Sequence, residues 1–186
     1  MSDIDDLIEV VREKSIFVRS ILTLLAGESP FHFDLASTLM SPKGSNLVAR
    51  IIYEMMADDD VDYIGGLGMG ALMISVCVVQ LSYGDRPIKG FNMREGQKDH
   101  GMIVKRFEGA LDDKLIRGSR VIIVEDVTDT GKHVLDAIGR VRFAGGTVVR
   151  AITILDRLNG ATERLRDEGI ELRAFMTPLS FGIPEG

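Results

Sequence analysis

The sequence predicts an α/β fold with a mostly parallel central sheet, on three observations. Short apolar runs of strand length alternate with stretches whose apolar residues recur at helical spacing, the pattern of strand–helix–strand units. One run, Val121–Val124, is continuously apolar, as a strand covered on both faces must be. Four stretches rich in glycine or charge, Gly65–Gly70, Arg94–Gly101, Glu125–His133 and Arg157, each follow a candidate strand. Ligands of such sheets sit beyond the carboxyl ends of the strands, so one site can collect all four.

The 186 residues suit a single domain, 1–186, long enough to bury a full core. Apolar content of 45% and charged content of 27% are ordinary for a soluble globular protein. A formal charge of −6 argues against a nucleic-acid partner. Cys77 is the single cysteine, which excludes a disulfide framework and suits a reducing, cytoplasmic location. Its apolar neighbours assign the thiol to packing and not to nucleophilic chemistry. The N-terminus lacks the basic and apolar regions of a secretory leader. The longest apolar run, Ala71–Leu81, is too short to cross a bilayer, so no membrane partner is expected.

Taken in order, Ile4, Leu7, Ile8 and Val11 mark an amphipathic helix with Asp3, Asp5 and Asp6 at its positive end. Ile16–Leu25 predicts a strand or two, and Gly27–Leu35 a loop followed by a short strand. Leu47, Val48, Ile51, Ile52, Met55 and Met56 give a one-sided helix ended by Asp58-Asp59-Asp60, which reads as a solvated turn. Tyr63–Gly70 joins a strand to Ala71–Leu81, a helix apolar all round and therefore expected to be buried. Its glycines allow either main-chain contact with a ligand or close helix–sheet packing. Pro87–Met93 is the next strand, and Phe107–Leu111 returns a hairpin after the polar segment between them. Gly145-Gly146 caps the helix that follows the central strand. Val148–Leu155 is another buried strand, Glu163–Glu168 a polar-faced helix, and Ile170–Met176 an alternating edge strand.

The centre of the chain is Val121–His133. Glu125 and Asp126 follow the buried strand, and a short loop, Val127-Thr128-Asp129-Thr130-Gly131, opens onto a helix bearing Val134, Leu135, Ile138 and Val141. Main-chain N–H groups at such a turn form an anion site, and the helix N-terminus adds partial positive charge. Thr128, Thr130 and Lys132 add side-chain donors, so a phosphate suits the loop. The carboxylates before it suit sugar hydroxyls. A triphosphate-binding loop would read G-x-x-x-x-G-K-[ST] instead.

This stretch resembles the phosphoribosyl-pyrophosphate (PRPP) signature of type I phosphoribosyltransferases, an apolar strand followed by E/D-D-x-x-[TD]-[TA]-G. Other segments are similar to orotate phosphoribosyltransferases. Ser29-Pro30-Phe31-His32-Phe33-Asp34-Leu35 matches their S-P-x-x-x-D-L hood segment. Arg94, Lys98 and His100 match the R-K-x-x-K-x-H-G loop that closes over PRPP, and Asp156-Arg157 matches their strand end. The resemblance runs from about Ser29 to Arg157. It implies the type I phosphoribosyltransferase fold, with a small N-terminal hood made of residues 1 to about 40 and the C-terminal segment. It also implies transfer of ribose-5-phosphate from PRPP to a nucleobase, with Mg2+ bound through PRPP and a homodimeric assembly.

The resemblance assigns Arg94, Lys98, His100 and Glu125 through His133 to PRPP, with Lys98, His100 and Asp126 the catalytic groups among them. It assigns Asp129 and Arg157 to the base, the arginine meeting the carboxylate of orotate. Three positions depart from the orotate pattern. Glu95 replaces a lysine, Leu24-Leu25-Ala26-Gly27 lacks the lysine of L-K-S-G, and Asp129 stands where threonine is usual. Val124–Lys132 thereby resembles the loop of hypoxanthine-guanine enzymes, whose aspartate sits near the purine. Orotate, with a place in pyrimidine nucleotide synthesis, is the expected base. A purine substrate and a non-catalytic PRPP sensor are the alternatives.

Overall fold

The computed structural model describes residues 2–18, 31–94, 108–109 and 117–183. Helix α1 (Asp3–Lys14) opens with a capping box in which Ser2 and Asp5 exchange hydrogen bonds. Strands β1 (Ile16–Val18) and β2 (Phe31–Phe33) pair antiparallel as a small separate sheet. The short helix α2 (Ala36–Leu39) leads into α3 (Pro42–Met55), where the Ser41 hydroxyl accepts from the Gly44 amide. Proline at the first helical position costs nothing, because that amide has no intrahelical partner.

The chain then alternates strand and helix: β3 (Tyr63–Leu67), α4 (Gly68–Ser82), β4 (Lys89–Met93), β5 (Glu108–Gly109), β6 (Arg120–Thr128), α5 (Lys132–Phe143), β7 (Thr147–Asp156), α6 (Ala161–Asp167) and β8 (Leu172–Met176). A 3-10 turn, Pro178–Phe181, follows. The main sheet has the order β5-β4-β3-β6-β7-β8, parallel except for β5 against β4. That antiparallel pair is the expected hairpin return, and β8 is the expected edge strand.

The central strand shows why its sequence is apolar without alternation. Ile122 and Val124 join Ile64, Ile152 and Ile154 beneath α1, α3 and α4. Val121 and Ile123 join Tyr63 and Leu67 beneath α5 and Leu165 of α6. Each such large side chain, fully buried, contributes about 1.5–3 kcal/mol relative to exposure. Gly145, at φ +87°, ends α5: its amide donates to Arg142 O and that of Gly146 to Val141 O.

Two expectations are corrected. Asp59 is not part of a solvated turn. It is 8% exposed and its Oδ1 accepts from Arg150 Nη2 at 2.8 Å, while Arg150 Nη1 reaches Glu171 at 3.0 Å. The second concerns α4, which is apolar all round but not wholly buried. Ala71, Ile74 and Val78 face the core, whereas Met69, Val76 and the C-cap Tyr83, seven residues apart, are 69%, 58% and 83% exposed.

Removing one partner of a buried ion pair leaves the other charge uncompensated, at a cost of about 3–5 kcal/mol. Asp59 Oδ2 and Arg150 Nε find no partner among the described residues, which places this pair at the lower end. Arg150→Ala is expected to cost about 3 kcal/mol, read as a lower denaturant midpoint at unchanged slope. An unmoved midpoint would show that the pair contributes nothing.

Candidate active site

From β3 the chain moves outward to β4, and from β6 outward to β7 and β8, so the sheet order reverses between β3 and β6. Ligands of parallel sheets collect in the crevice beyond the strand ends at such a reversal. The register widens the crevice: β3 pairs with β6 only from Tyr63↔Val121 to Gly65↔Ile123, while β6 pairs with β7 as far as Thr128↔Asp156.

A cavity of about 260 Å³ opens there, lined by Glu125, Val127, Thr128, Asp129, Thr130, Gly131, Lys132, His133 and Val134. Gly131 takes φ +79°, a left-handed conformation that favours glycine, and turns the strand end directly into α5. The first-turn amides of that helix lack intrahelical acceptors, which suits its N-terminus to an anion. Thr128 Oγ1 is buried beside the cavity with no partner among the described residues.

Glu125 and Asp126 diverge, because successive strand residues point to opposite faces. Glu125 is buried and lines the cavity. Asp126 lies over the first turn of α4: a Cβ on Gly70 would fall 2.4 Å from its Cγ. A carboxylate at a helix N-terminus is stabilised by the helix dipole. Gly65 and Gly66 serve close packing, since a Cβ on either would lie 2.3 Å from Phe91 O or Val124 O.

Arg157 follows β7 next to the loop from Thr128 to Gly131, its amide donating to Thr128 O at 2.8 Å. Asp129 accepts a hydrogen bond from the Asn159 amide. Arg94 is exposed at the end of β4, and its carbonyl accepts from Arg140 Nη1 at 3.1 Å. Lys98, His100 and the rest of the expected closing loop lie outside the described residues. Cys77 is half-buried in α4, and burial pushes its thiol up, consistent with packing. Asn159 and Arg164, whose Nη1 donates to Thr130 O at 2.7 Å, were not among the residues singled out from sequence. Both act across a loop boundary, where no periodic pattern points.

Among the described residues no group of three or more His, Cys, Asp or Glu could hold a metal. The carboxylate oxygens of Glu125 and Asp126 are donors of the kind a hard cation takes.

A buried strand, two carboxylates, an anion-binding loop and a helix N-terminus at the sheet reversal define a phosphoribosyltransferase-type site. The chain is 39% identical over 177 residues to the orotate phosphoribosyltransferase of Rhodopseudomonas palustris strain BisB18, covering 94% of both chains. Its structure matches the phosphoribosyltransferase of Corynebacterium diphtheriae with a TM-score of 0.83 at 31% identity, over 98% of this chain and 99% of that one. Orotate phosphoribosyltransferase of Mycobacterium tuberculosis H37Rv, solved in complex with PRPP, matches with a TM-score of 0.77 at 29% identity, over 97% and 92%. No protein-family model matches the chain. The chain belongs to the orotate phosphoribosyltransferase family.

Proposed function

We propose that this chain transfers the 5-phosphoribosyl group of PRPP to orotate, giving orotidine 5′-phosphate and pyrophosphate in pyrimidine nucleotide synthesis. The observation that carries this reading is the cavity at Glu125–Val134, where an anion-binding loop opens beside a buried carboxylate. The loop amides, Thr128, Thr130 and Lys132 hold the 5-phosphate. Glu125 and Asp126 take the ribose hydroxyls from the two sides of β6.

As the bond from the anomeric carbon to pyrophosphate breaks and the bond to the base nitrogen forms, positive charge grows on the sugar and negative charge on the leaving group. Stabilising both is the main catalytic task. The carboxylates favour the cationic sugar, with Asp126 held against Gly70 in the first turn of α4. Arg94, Lys98 and His100 are assigned to the departing pyrophosphate on the sequence resemblance. Mg2+, when bound through PRPP oxygens, would neutralise part of the pyrophosphate charge. Arg157 pairs with the orotate carboxylate. Asp129, the residue that resembles the purine enzymes, is already engaged by the Asn159 amide, which weakens the case for a purine base.

We assign the described residues 2–18 and 31–40, with the C-terminal segment as far as residue 183, to the hood. Its parts meet where the rings of Phe33 and Phe181 lie 5.9 Å apart. The exposed stripe Met69–Val76–Tyr83 supports a homodimer, because an apolar face of this kind marks an interaction surface. Sedimentation as a monomer at assay concentration would overturn the dimer. No helix among the described residues is long and apolar enough to cross a membrane. We place the protein in the cytoplasm, where the single thiol stays reduced.

Calorimetry with PRPP and Mg2+ tests the site. Asp126→Asn removes a charge-assisted acceptor and is expected to weaken binding by about tenfold or more. Equal binding by both proteins would remove Asp126 from the PRPP site.

A further inference from the structure

We propose that Asn159 is a positioning residue that, through Asp129, locks the base-binding connection onto the phosphate loop. The proposal rests on reading the cavity as the PRPP site and Arg157 as the base contact. Every residue of the turn from Thr128 to Gly131 is met by the connection that follows β7. Thr128 O accepts the Arg157 amide at 2.8 Å. Asp129 Oδ1 accepts the Asn159 side-chain amide, and Thr130 O accepts Arg164 Nη1 at 2.7 Å. Gly131 is so close to α6 that a Cβ there would lie 3.0 Å from Leu165 Cδ1 and 3.3 Å from Ala161 Cα.

The connection is itself held in shape. The Asp156 carboxylate accepts from the Leu158 amide at 2.9 Å and from the Thr162 hydroxyl at 3.2 Å. Leu158 takes φ +63°, rare for a side-chain-bearing residue, and directs the chain back so that Asn159 reaches Asp129. Among these contacts two join main-chain groups to the loop through fixed backbone or a long arginine. Asn159–Asp129 is the one side-chain pair across the boundary, and it makes use of the charge at position 129. Asp129 therefore acts as the acceptor of a latch. Phosphate held by the loop and a base held by Arg157 are kept in register by the same contact.

The pair can be reversed, which gives a test that loss of folding does not imitate. Asn159→Asp sets two carboxylates against each other. The exchange Asp129→Asn with Asn159→Asp rebuilds an amide–carboxylate pair with its ends swapped. In steady-state pyrophosphate release, Asn159→Asp is expected to raise KM for both PRPP and orotate by about tenfold, with kcat within about twofold. The exchange is expected to recover part of the loss, bringing both KM values at least about threefold below those of Asn159→Asp alone. Asn159→Ala, which removes the donor without adding charge, is expected to raise both by about threefold and serves if Asn159→Asp does not fold. A merely structural role would lower the folded fraction, and so apparent kcat, while leaving KM alone. Unchanged KM values, a loss confined to kcat, or no recovery in the exchange would overturn the latch. If the unaltered protein fails to turn over orotate, the functional reading fails. PRPP affinities of the same proteins by calorimetry then decide the latch, with the same ordering expected and no ordering overturning it.

Discussion

Arg157→Ala is expected to lower kcat/KM for orotate by about thirty- to several-thousand-fold while PRPP affinity stays within about threefold. The range follows from the cost of truncating one partner of a desolvated, hydrogen-bonded charge pair, about 2–5 kcal/mol. Arginine suits the task because its planar fork meets a carboxylate through two parallel hydrogen bonds. The substitution keeps the contact by which this residue touches the phosphate loop, since that contact is the Arg157 amide on Thr128 O. Lost orotate turnover with lost PRPP binding would instead mean that the side chain supports the loop. Retained turnover would remove Arg157 from the base site.

Gly70→Ala is expected to lower kcat/KM by about a hundredfold in a protein that still unfolds cooperatively. A Cβ at this position would lie 2.4 Å from Asp126 Cγ and Oδ1, so the carboxylate must move. A displacement of about 1 Å at a catalytic group can cost about a hundredfold in rate. Helix instability is not the cause, because alanine is favoured over glycine inside a helix by about 0.5–1 kcal/mol. Gly139→Ala is the control: it lies in α5 with nothing within 4 Å of the added Cβ. That protein should keep its activity and gain a little stability. Full activity in Gly70→Ala would show that the position of Asp126 is not critical.

Much of this was legible in the sequence, and the reasons are physical. Val121–Val124 announced a strand buried on both faces because neither face of β6 meets water. Glu125–Gly131 announced a tight turn from strand to helix, because a glycine there lets the chain take the left-handed conformation that the turn requires. Even the two-residue β5 was foreshadowed by the Phe107–Leu111 return. Asp59 was not legible. Its acidic neighbours look solvated, and its partner Arg150 stands 91 positions away in a strand whose own pattern is apolar. The split of α4 was hidden too, since an all-apolar helix does not say which of its faces meets this chain and which remains open. Asn159 and Arg164 escaped because the contact of a loop or an exposed helix face with another loop leaves no periodic pattern and depends on topology.

Pyrophosphate release from PRPP and Mg2+, measured with orotate, uracil, hypoxanthine and guanine in turn, tests whether this cavity transfers phosphoribose to orotate. Release is expected with orotate, matched by formation of orotidine 5′-phosphate, with background rates for the other three bases. Release with hypoxanthine or guanine would make Asp129 a purine contact. PRPP binding without release for any base would make the chain a sensor, and either result would rule out orotate transfer.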